Sequence, residues 1–523
     1  MTTTEGTTPA PAEPAGNARL LPQTGDEYLE SLRDGREVWI YGERVKDVTT
    51  HPAFRNGARS MARLYDAFHK PETASTMLRP TDTGSGGQTH PFFKVARSKQ
   101  DLRDSVAAIQ TWQDIGFGWI GRTPDYKAAM LTSLGAIPEW YGEYESNARF
   151  WYKESQEKVL HMAHAIANPP VDRGLPVEDT RDVFVHVERE TDAGLIISGA
   201  KVVATGSPLT QNIFVTHFMA PVQDKAFALT FIAPSAGKGI KYLARASYEQ
   251  AAATASSPFD YPLSSRLDEN DAILIFDNAL IPWENVLVYD VAKVQEFGVA
   301  TRWTPRAVLQ SSVRFTTKLE FVIGLIQKAL HITGSRDPKA VQAQLGELIA
   351  ARNMLVGLRD GMIEGAEPGP GGAIEPNQAY TRAYAAHAPA IYRRMREVAQ
   401  TVVSSGLIYL NSHAVDFSNP EIRPLMDRFM RGSNGTTALD RSRIMKTLWD
   451  AVGSEFGGRH DLYELNYFGQ PQAHHLASFG GAMTDGTMAR MEGLVDRFHE
   501  DYDLDGWTAP DLIRADDVRT IGK

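Results

Sequence analysis

The sequence contains no cysteine among its 523 residues. This absence excludes disulfides, thiolate nucleophiles, cysteine-ligated zinc and cysteine-ligated iron–sulfur clusters. Any chemistry must therefore come from histidine, tyrosine, arginine, hydroxyl or carboxylate side chains, or from a bound cofactor. A cytoplasmic location is the default expectation for such a chain.

Long apolar runs and an excess of positive charge are missing as well. No apolar run approaches the roughly 18 residues that cross a bilayer. The N-terminal stretch MTTTEGTTPAPAEPAGNA lacks the basic region and apolar core of a secretory signal, and we expect residues 1–24 to be a disordered tail. The net charge of −10 argues against non-specific nucleic-acid binding. The length allows two or three domains with a large core.

The hydrophobic pattern changes twice along the chain. Apolar residues recur at three- and four-residue spacing up to about residue 160, which indicates helices. Polar and apolar residues then alternate, and the helical spacing returns after about residue 300. We predict a helical domain at 25–168, a β-domain at 169–295 and a helical bundle with a tail at 296–523. The β-domain would be a small barrel or a sandwich.

Nucleotide and metal motifs are also absent. The GSGG stretch at 84–87 lacks the Lys-Ser/Thr of a phosphate-binding loop, and no G-x-G-x-x-G follows a strand, so we expect no Rossmann domain. His161 and His164 are three residues apart, and His474 and His475 are adjacent. Neither pair belongs to an H-E-x-x-H motif or a facial triad, so no metal site is predicted.

The segment GRTPDYKAAM combines a cation with a phenol at a predicted helix start. Thr123 suits the N-cap, Pro124 the first helical position, and Asp125 the positive end of the helix dipole. Arg122 would then lie just outside the helix and Tyr126 one turn inside it. Together they could form an electropositive pocket for an anionic or phenolic ligand. Taken alone, the pattern is more simply explained as a surface cap with a tyrosine packed beneath it.

Two further segments carry polar side chains near predicted domain junctions. His164 is predicted on a helix that ends at Asn168, because Pro169 restricts the residue before it to extended geometry. Clefts are common at such junctions. Thr205 and Ser207 follow a predicted strand and could donate hydrogen bonds to a flat ring such as a flavin. Taken alone, the histidine fits a core position and the hydroxyls an ordinary strand end.

These segments combine into a longer series of motifs. In order, the chain contains TDTGSGG, GRTPDYKAA, HAIANPPVDR, SGAKVVATGS, YPLSSRLDENDAIL, IPWENVL and GSEFGGRHDLYELNY. Over about residues 24–510 it closely resembles the oxygenase component of 4-hydroxyphenylacetate 3-monooxygenase. That family contains two-component, flavin-dependent phenol hydroxylases. It includes chlorophenol monooxygenases and enzymes that hydroxylate tyrosine-derived rings in natural-product pathways such as antibiotic biosynthesis.

The resemblance implies both a fold and a reaction. The fold is α+β and like that of acyl-CoA dehydrogenases, with an N-terminal helical domain, a middle β-barrel domain and a C-terminal four-helix bundle. Such proteins are usually homotetramers. A separate reductase supplies FADH2, whose reaction with O2 gives a C4a-hydroperoxyflavin. Oxygen transfer from this species to the carbon beside the phenol hydroxyl converts a para-substituted phenol to a catechol.

The resemblance also assigns site residues. The catalytic and substrate-binding trio is Arg122, Tyr126 and His164, with Phe218 and Met219 in a lid over the aromatic ring. The flavin contacts are His164, Ala165, Ile166, Pro170, Val171, Asp172, Arg173, Thr205, Asn466, Tyr467, Phe468 and Gly469, with Ser207 beside them. No metal is implied.

The lid segment bears on the substrate. Its middle, HFMAP, is bulky and contains no arginine that would hold a carboxylate. This favours a chlorinated phenol or a tyrosine-like ring on a carrier protein over free 4-hydroxyphenylacetate, which stays an alternative. An acyl-CoA dehydrogenase-type flavoprotein and a non-catalytic scaffold are the rival interpretations from other classes.

Overall fold

The computed structural model describes residues 21–172, 174–217, 222–467 and 469–512. The predicted tail therefore lies almost entirely outside the described residues. Four of the expected site residues also lie outside them, namely Arg173, Phe218, Met219 and Phe468.

The described residues form helices and strands in the following order. The helices are α1 (Gly25–Ser31), α2 (Arg55–Asp66), α3 (Pro71–Met77), α4 (Lys99–Gly116), α5 (Pro124–Ala136), α6 (Glu145–Lys158), α7 (Tyr248–Ala255), α8 (Ser264–Leu267), α9 (Val291–Thr301), α10 (Trp303–Thr333), α11 (Lys339–Glu364), α12 (Gln378–Val403), α13 (Arg423–Phe429), α14 (Ala438–Val452), α15 (Glu455–Asn466), α16 (Pro471–Thr484) and α17 (Thr487–His499). The strands are β1 (Glu37–Ile40), β2 (Glu43–Val45), β3 (Arg79–Pro80), β4 (Gln88–Thr89), β5 (Met162–Ala165), β6 (His186–Thr191), β7 (Gly194–Thr205), β8 (Asn212–Thr216), β9 (Leu229–Pro234), β10 (Ile240–Ala244), β11 (Asp271–Pro282), β12 (Val286–Tyr289), β13 (Glu367–Pro368), β14 (Ile374–Glu375), β15 (Tyr502–Asp503) and β16 (Gly506–Trp507).

The middle of the chain is built from two sheets, in agreement with the predicted α+β class. The larger has the order β2-β1-β10-β11-β7-β6, and the smaller has the order β12-β9-β8-β5. The rings of Phe231 on β9 and Phe276 on β11 are 5.6 Å apart, which brings the sheets face to face. Because β2 and β6 are at opposite edges and do not pair with each other, the described strands form a sandwich and not a closed barrel.

The region expected to be mostly helical contributes strands to both sheets. β1 pairs in parallel with β10, and β5 pairs in parallel with β8, with His164 opposite Phe214. The predicted helix at His164 is therefore wrong. α6 ends at Lys158 because Val159 adopts a left-handed conformation, with φ 49°, that cannot continue the helix. His164 lies on a strand, and the exact domain boundaries stay a prediction.

The C-terminal region is a helical bundle, as predicted. The long helix α10 packs against α11, α12 and α14, and α12 packs in turn against α15 and α16. No helix within the described ranges combines the length and the apolar character needed to cross a bilayer.

Helix α5 connects the three regions. Nearly all of its residues are buried, which is expected of a helix enclosed on every side. It packs against α6 of the N-terminal region, β5 of the smaller sheet and α10 of the bundle. The start of α5 is therefore the point where all three regions meet.

Candidate active site

A cavity of about 750 Å³ lies at the start of α5. Its volume is within the range of about 300–1,000 Å³ that is usual for small-molecule sites. The cavity is lined by side chains from the N-terminal helices, both sheets and the bundle, namely Arg122, Tyr126, His164, Ile166, Ala167, Val202, Val203, Thr205, Tyr248, Asp271, Trp303, Thr304, Arg459, Leu462, Tyr463, Asn466, Tyr467 and Gly469. Eight of these were expected from the sequence: Arg122, Tyr126, His164, Ile166, Thr205, Asn466, Tyr467 and Gly469.

The start of α5 has the predicted bounds but a different cap. Pro124 is the first helical residue, and Thr123 is the N-cap, yet the Thr123 side chain accepts no backbone hydrogen bond. Its hydroxyl donates to Asp125 instead. The Gln310 amide on α10 donates to the Thr123 hydroxyl at 3.1 Å and to Asp125 at 3.0 Å. The helix start is thus fixed to the bundle by side chains.

Arg122 is buried at the cavity wall, with 8% of its surface exposed, so the surface-cap interpretation is wrong. Its backbone N–H donates to Glu269 at 2.6 Å, and its carbonyl accepts from the His161 ring at 3.0 Å. The guanidinium carbon is 3.9 Å from the centre of the Tyr126 ring. The side-chain atoms Nε and Nη1 are buried and have no hydrogen-bond partner among the described residues. Unsatisfied buried donors of a charged group are costly, and they are suited to an oxyanion ligand.

His164 completes the predicted trio. The centres of its ring and the Tyr126 ring are 5.4 Å apart. Burial, together with the positive charges of Lys127 and Arg122, lowers the pKa of His164 well below its ordinary value. The imidazole is therefore neutral at pH 7 and can accept a hydrogen bond from a phenol hydroxyl.

The part of the cavity wall formed by the strands is mainly apolar. Strand alternation turns His164 and Ile166 toward the cavity and leaves Ala165 fully buried behind them. Val203 is 60% exposed and has φ 54°, a strained backbone for a β-branched residue. The Thr205 hydroxyl lies at the same wall and donates to Asp271 at 2.6 Å.

Several expected flavin contacts do not line this cavity. After Thr205 the chain turns at Gly206, with φ 73°, into a short turn that buries Ser207 in the core. Pro170, Val171 and Asp172 are partly or fully exposed and lie outside the lining. As flavin contacts, these residues and Ala165 stay predictions.

Comparison with known proteins places this site in a family. The model for the N-terminal part of 4-hydroxyphenylacetate 3-hydroxylase matches residues 24–288, and the model for its C-terminal part matches residues 294–496. The chain belongs to the 4-hydroxyphenylacetate 3-hydroxylase family. The resemblance seen in the sequence motifs is thereby confirmed.

Relatives cover nearly the whole of this hydroxylase-family chain. The oxygenase component of 4-nitrophenol 2-monooxygenase from Rhodococcus sp is 51% identical over 96% of both chains. The (3S)-3-amino-3-(3-chloro-4-hydroxyphenyl)propanoyl-[peptidyl-carrier protein SgcC2] monooxygenase from Streptomyces globisporus is 49% identical over 98% of this chain and 97% of its own. A crystal structure of the oxygenase component of 4-hydroxyphenylacetate 3-monooxygenase, complexed with FAD and 4-hydroxyphenylacetate, has a TM-score of 0.85 at 29% identity. It covers 91% of this chain and 99% of its own.

Sequence reasoning missed an ionic cluster at the cavity of this family member. Arg459 donates two hydrogen bonds to Asp271, at 2.6 and 2.9 Å, and Arg245 donates a third at 3.0 Å. Burial disfavours the Asp271 charge, but the two arginines outweigh it and lower the pKa of Asp271. The Glu269 carboxylate, 3.7 Å from Arg459, is the group that holds the Arg122 backbone. Arg459 and Tyr463 are both within the motif GSEFGGRHDLYELNY, but their four-residue spacing was not used.

The buried carboxyl of Asp125 predicts a pH-dependent stability. Burial raises the pKa of Asp125 to about 7, against about 3.9 in the unfolded chain. The stability that this group contributes is thus fully present below about pH 4 and is lost as the pH rises through about 7. Asp125→Asn removes this loss, so the melting temperature of the variant minus that of the wild type should rise between pH 4 and 8.

The matched control is Asp337→Asn, because Asp337 is exposed. We expect no pH-dependent difference for it. A difference for Asp125→Asn that stays constant over this pH range would contradict the raised pKa.

Proposed function

We propose that this protein is the oxygenase component of a two-component monooxygenase that hydroxylates a para-substituted phenol beside its hydroxyl group, with FADH2 and O2 as co-substrates. One observation carries the proposal. The buried guanidinium of Arg122 lines the same cavity as a neutral His164, and its Nε and Nη1 atoms have no hydrogen-bond partner among the described residues.

The trio can activate a phenol. An N–H group of the Arg122 guanidinium would donate to the phenol oxygen and stabilise negative charge on it, an effect that is large in a water-poor site. His164 accepts the hydroxyl proton. The Tyr126 ring lies against the guanidinium and helps to hold it in place. Ionisation raises the electron density at the ring carbon beside the oxygen, which is the carbon that must attack.

The rest of the cavity fits a flat cofactor ring. Its volume exceeds the needs of a phenol, and the wall around Ile166, Val202 and Val203 is apolar. Thr205 and Asn466 add polar groups at the edge. When bound there, FADH2 would supply the two electrons that activate O2, and one atom of O2 is the oxygen added to the phenol. Ile166, Thr205, Asn466, Tyr467 and Gly469 would hold the ring, while Trp303 and Leu462 restrict access of water.

For the substrate, we propose a chlorinated phenol or a tyrosine-like ring on a carrier protein. The bulky HFMAP segment supports this choice, as does the Streptomyces relative, whose name specifies a chlorinated hydroxyphenyl group on a peptidyl carrier protein. Free 4-hydroxyphenylacetate is the alternative.

The proposal includes two kinds of partner. A separate flavin reductase supplies FADH2, because the sequence carries no dinucleotide-binding motif. We also propose a homotetramer. Large apolar side chains are more than half exposed on α16 and α17, among them Leu476, Phe479, Leu494 and Phe498, and such a surface is typical of subunit contacts. Light scattering of the purified chain should give the mass of four subunits. The mass of a monomer would contradict the proposed homotetramer.

A turnover screen tests the proposed function. The full chain, FAD, NADH, a flavin reductase and O2 are mixed with a panel of para-substituted phenols, both free and carrier-bound. We expect a catechol from at least one phenol and a preference for chlorinated or carrier-bound rings. Omission of the oxygenase is the control, since free FADH2 yields only hydrogen peroxide.

The outcomes separate the alternatives. Highest kcat/KM on free 4-hydroxyphenylacetate would overturn the substrate assignment alone. Failure to form catechol from any phenol, with oxidation of an acyl thioester instead, would favour the acyl-CoA dehydrogenase interpretation. No FAD binding and no turnover would favour the scaffold.

A further inference from the structure

Helix α15 and its C-cap residue, Tyr467, contribute three cavity-lining residues at four-residue intervals. Arg459, Tyr463 and Tyr467 all face the cavity, as the spacing of one helical turn requires. Neither Arg459 nor Tyr463 was assigned a role by the resemblance, and the chemistry of the trio does not use them.

These residues form an alternating series of contacts between guanidinium groups and phenol rings. The Arg459 guanidinium carbon is 4.3 Å from the centre of the Tyr463 ring. Arg122 follows, with its guanidinium carbon 5.2 Å from the Tyr463 ring and 4.2 Å from the Tyr467 ring. Arg314 on α10 is 4.5 Å from the Tyr467 ring. Arg122, which comes from the N-terminal region, thus contacts both tyrosine rings, whose centres are themselves 5.2 Å apart at an interplanar angle of 85°.

Arg459 and Arg314, at the two ends of this series, differ from Arg122 in their ion pairs. Arg459 is paired with Asp271 at 2.6 Å, and Arg314 donates to Glu464 at 2.7 Å. No carboxylate among the described residues accepts a hydrogen bond from the Arg122 side chain, and its Nε and Nη1 have no partner there. Ring faces hold the planar group in place without using its N–H groups as donors.

Contacts on the side of α15 that faces the bundle hold Tyr463 and Tyr467 in place. Glu464 points into the bundle, where the Lys318 ammonium donates to it at 2.7 Å beside the Arg314 pair. The Lys318 ammonium also lies 2.9 Å from the His460 ring. These buried contacts set the rotation of α15 about its axis, and therefore the positions of Tyr463 and Tyr467.

The tyrosines also contact the backbone that carries Arg122. The Tyr467 hydroxyl donates to the Gly121 carbonyl at 3.1 Å. A Cβ atom at Gly121 would lie 2.0 Å from the Tyr463 hydroxyl oxygen. Only glycine permits this approach, so the Tyr463 ring is packed directly against the residue before Arg122.

We infer that Tyr463 is a positioning residue whose ring, together with those of Tyr126 and Tyr467, holds the Arg122 guanidinium where it can donate to the phenol oxygen. The inference rests on the proposed function and deepens it, because it makes the bundle helix α15 responsible for the geometry of the phenol site. This positioning depends on the contact between the Tyr463 ring and the guanidinium, and the Tyr463 hydroxyl is not required.

The experiment compares a ring-retaining variant with ring-free ones. Tyr463→Phe keeps the ring, while Tyr463→Leu and Tyr463→Met remove it. The probe is 4-nitrophenol, whose ionised form absorbs visible light, so a titration gives both its dissociation constant and its ionised fraction when bound. We expect Tyr463→Phe to bind the probe within about twofold of the wild type. Loss of the ring should weaken binding of the ionised form roughly 5- to 30-fold, the effect of a desolvated cation–π contact, and lower the bound ionised fraction.

Tyr409→Leu is the matched control. Tyr409 also stacks on an arginine, with the Arg441 guanidinium carbon at 4.5 Å, but it does not line the cavity. It should bind the probe like the wild type. Melting temperatures identify any variant that fails to fold. If one of the two ring-free variants fails, the other takes its place.

Two results would overturn the inference. Either ring-free variants bind and ionise the probe like the wild type, or Tyr463→Phe loses as much as Tyr463→Leu, which would assign the effect to the hydroxyl. A wild-type protein that neither binds nor hydroxylates any phenol would instead contradict the proposed function itself, so the two failures are distinguishable.

Discussion

Replacement of Arg122 by methionine is expected to lower kcat/KM for phenol hydroxylation by roughly 10²–10³-fold, the usual cost of removing a donor to a developing oxyanion. The Nε and Nη1 atoms of the buried guanidinium have no partner among the described residues. Its hydrogen-bonding capacity is therefore left for a ligand. Methionine fills a similar volume without charge. The folded protein should be no less stable, because an incompletely hydrogen-bonded buried charge is removed.

Two further variants sharpen this result. Arg122→Lys keeps the charge but loses the planar fork, and we expect it to recover only part of the activity. Arg441→Met is the matched control, since Arg441 also stacks on a tyrosine, far from the cavity lining. Steady-state kinetics and thermal melts measure both effects. Arg122→Met with kcat/KM within threefold of the wild type would show that the phenol oxygen does not bind there.

Replacement of His164 by glutamine is expected to lower kcat roughly 10²–10⁴-fold at pH 7, the range attributed to a general base. Burial and the adjacent Lys127 and Arg122 charges keep the imidazole neutral, which is the form that accepts a proton. Glutamine retains hydrogen bonding but cannot take up the proton. The deficit should therefore shrink for phenols that are already ionised in solution.

The dependence on the phenol is the sharper test of this base. Across a series of phenols of decreasing pKa, the ratio of wild-type to His164→Gln kcat should fall steadily toward one. His475→Gln, at an exposed position on α16, is the control and should match the wild type throughout. An equal deficit for every phenol would mean that His164 binds or orients the substrate without removing its proton.

The helix signals near the site were readable from the sequence because they are local. Thr123 and Pro124 predicted the first residue of α5 correctly. The α+β class followed from the change in hydrophobic period. The strand β5 could not be predicted in this way. It forms because Val159 takes a left-handed conformation and the next residues pair with β8, some fifty positions later in the chain. Long-range pairing of this kind overrides local periodicity.

The site was predicted in part for a related reason. Arg122 and Tyr126 are four residues apart on one chain segment, so a helical spacing brings them together. Tyr463 and Arg459 have the same spacing, but their significance depends on α15 packing against Arg122, which no local pattern reveals. Ser207 does not line the cavity because a single turn at Gly206 removes it from the strand that carries Thr205.

The origin of the added oxygen tests the central claim most directly. The wild-type chain, reduced FAD and its preferred para-substituted phenol are incubated under ¹⁸O₂, and the product is examined by mass spectrometry and NMR. The account predicts a catechol with one ¹⁸O atom at the carbon beside the original hydroxyl, and almost none of this product from Arg122→Met. A product that takes its oxygen from water, or the absence of any catechol, would contradict it.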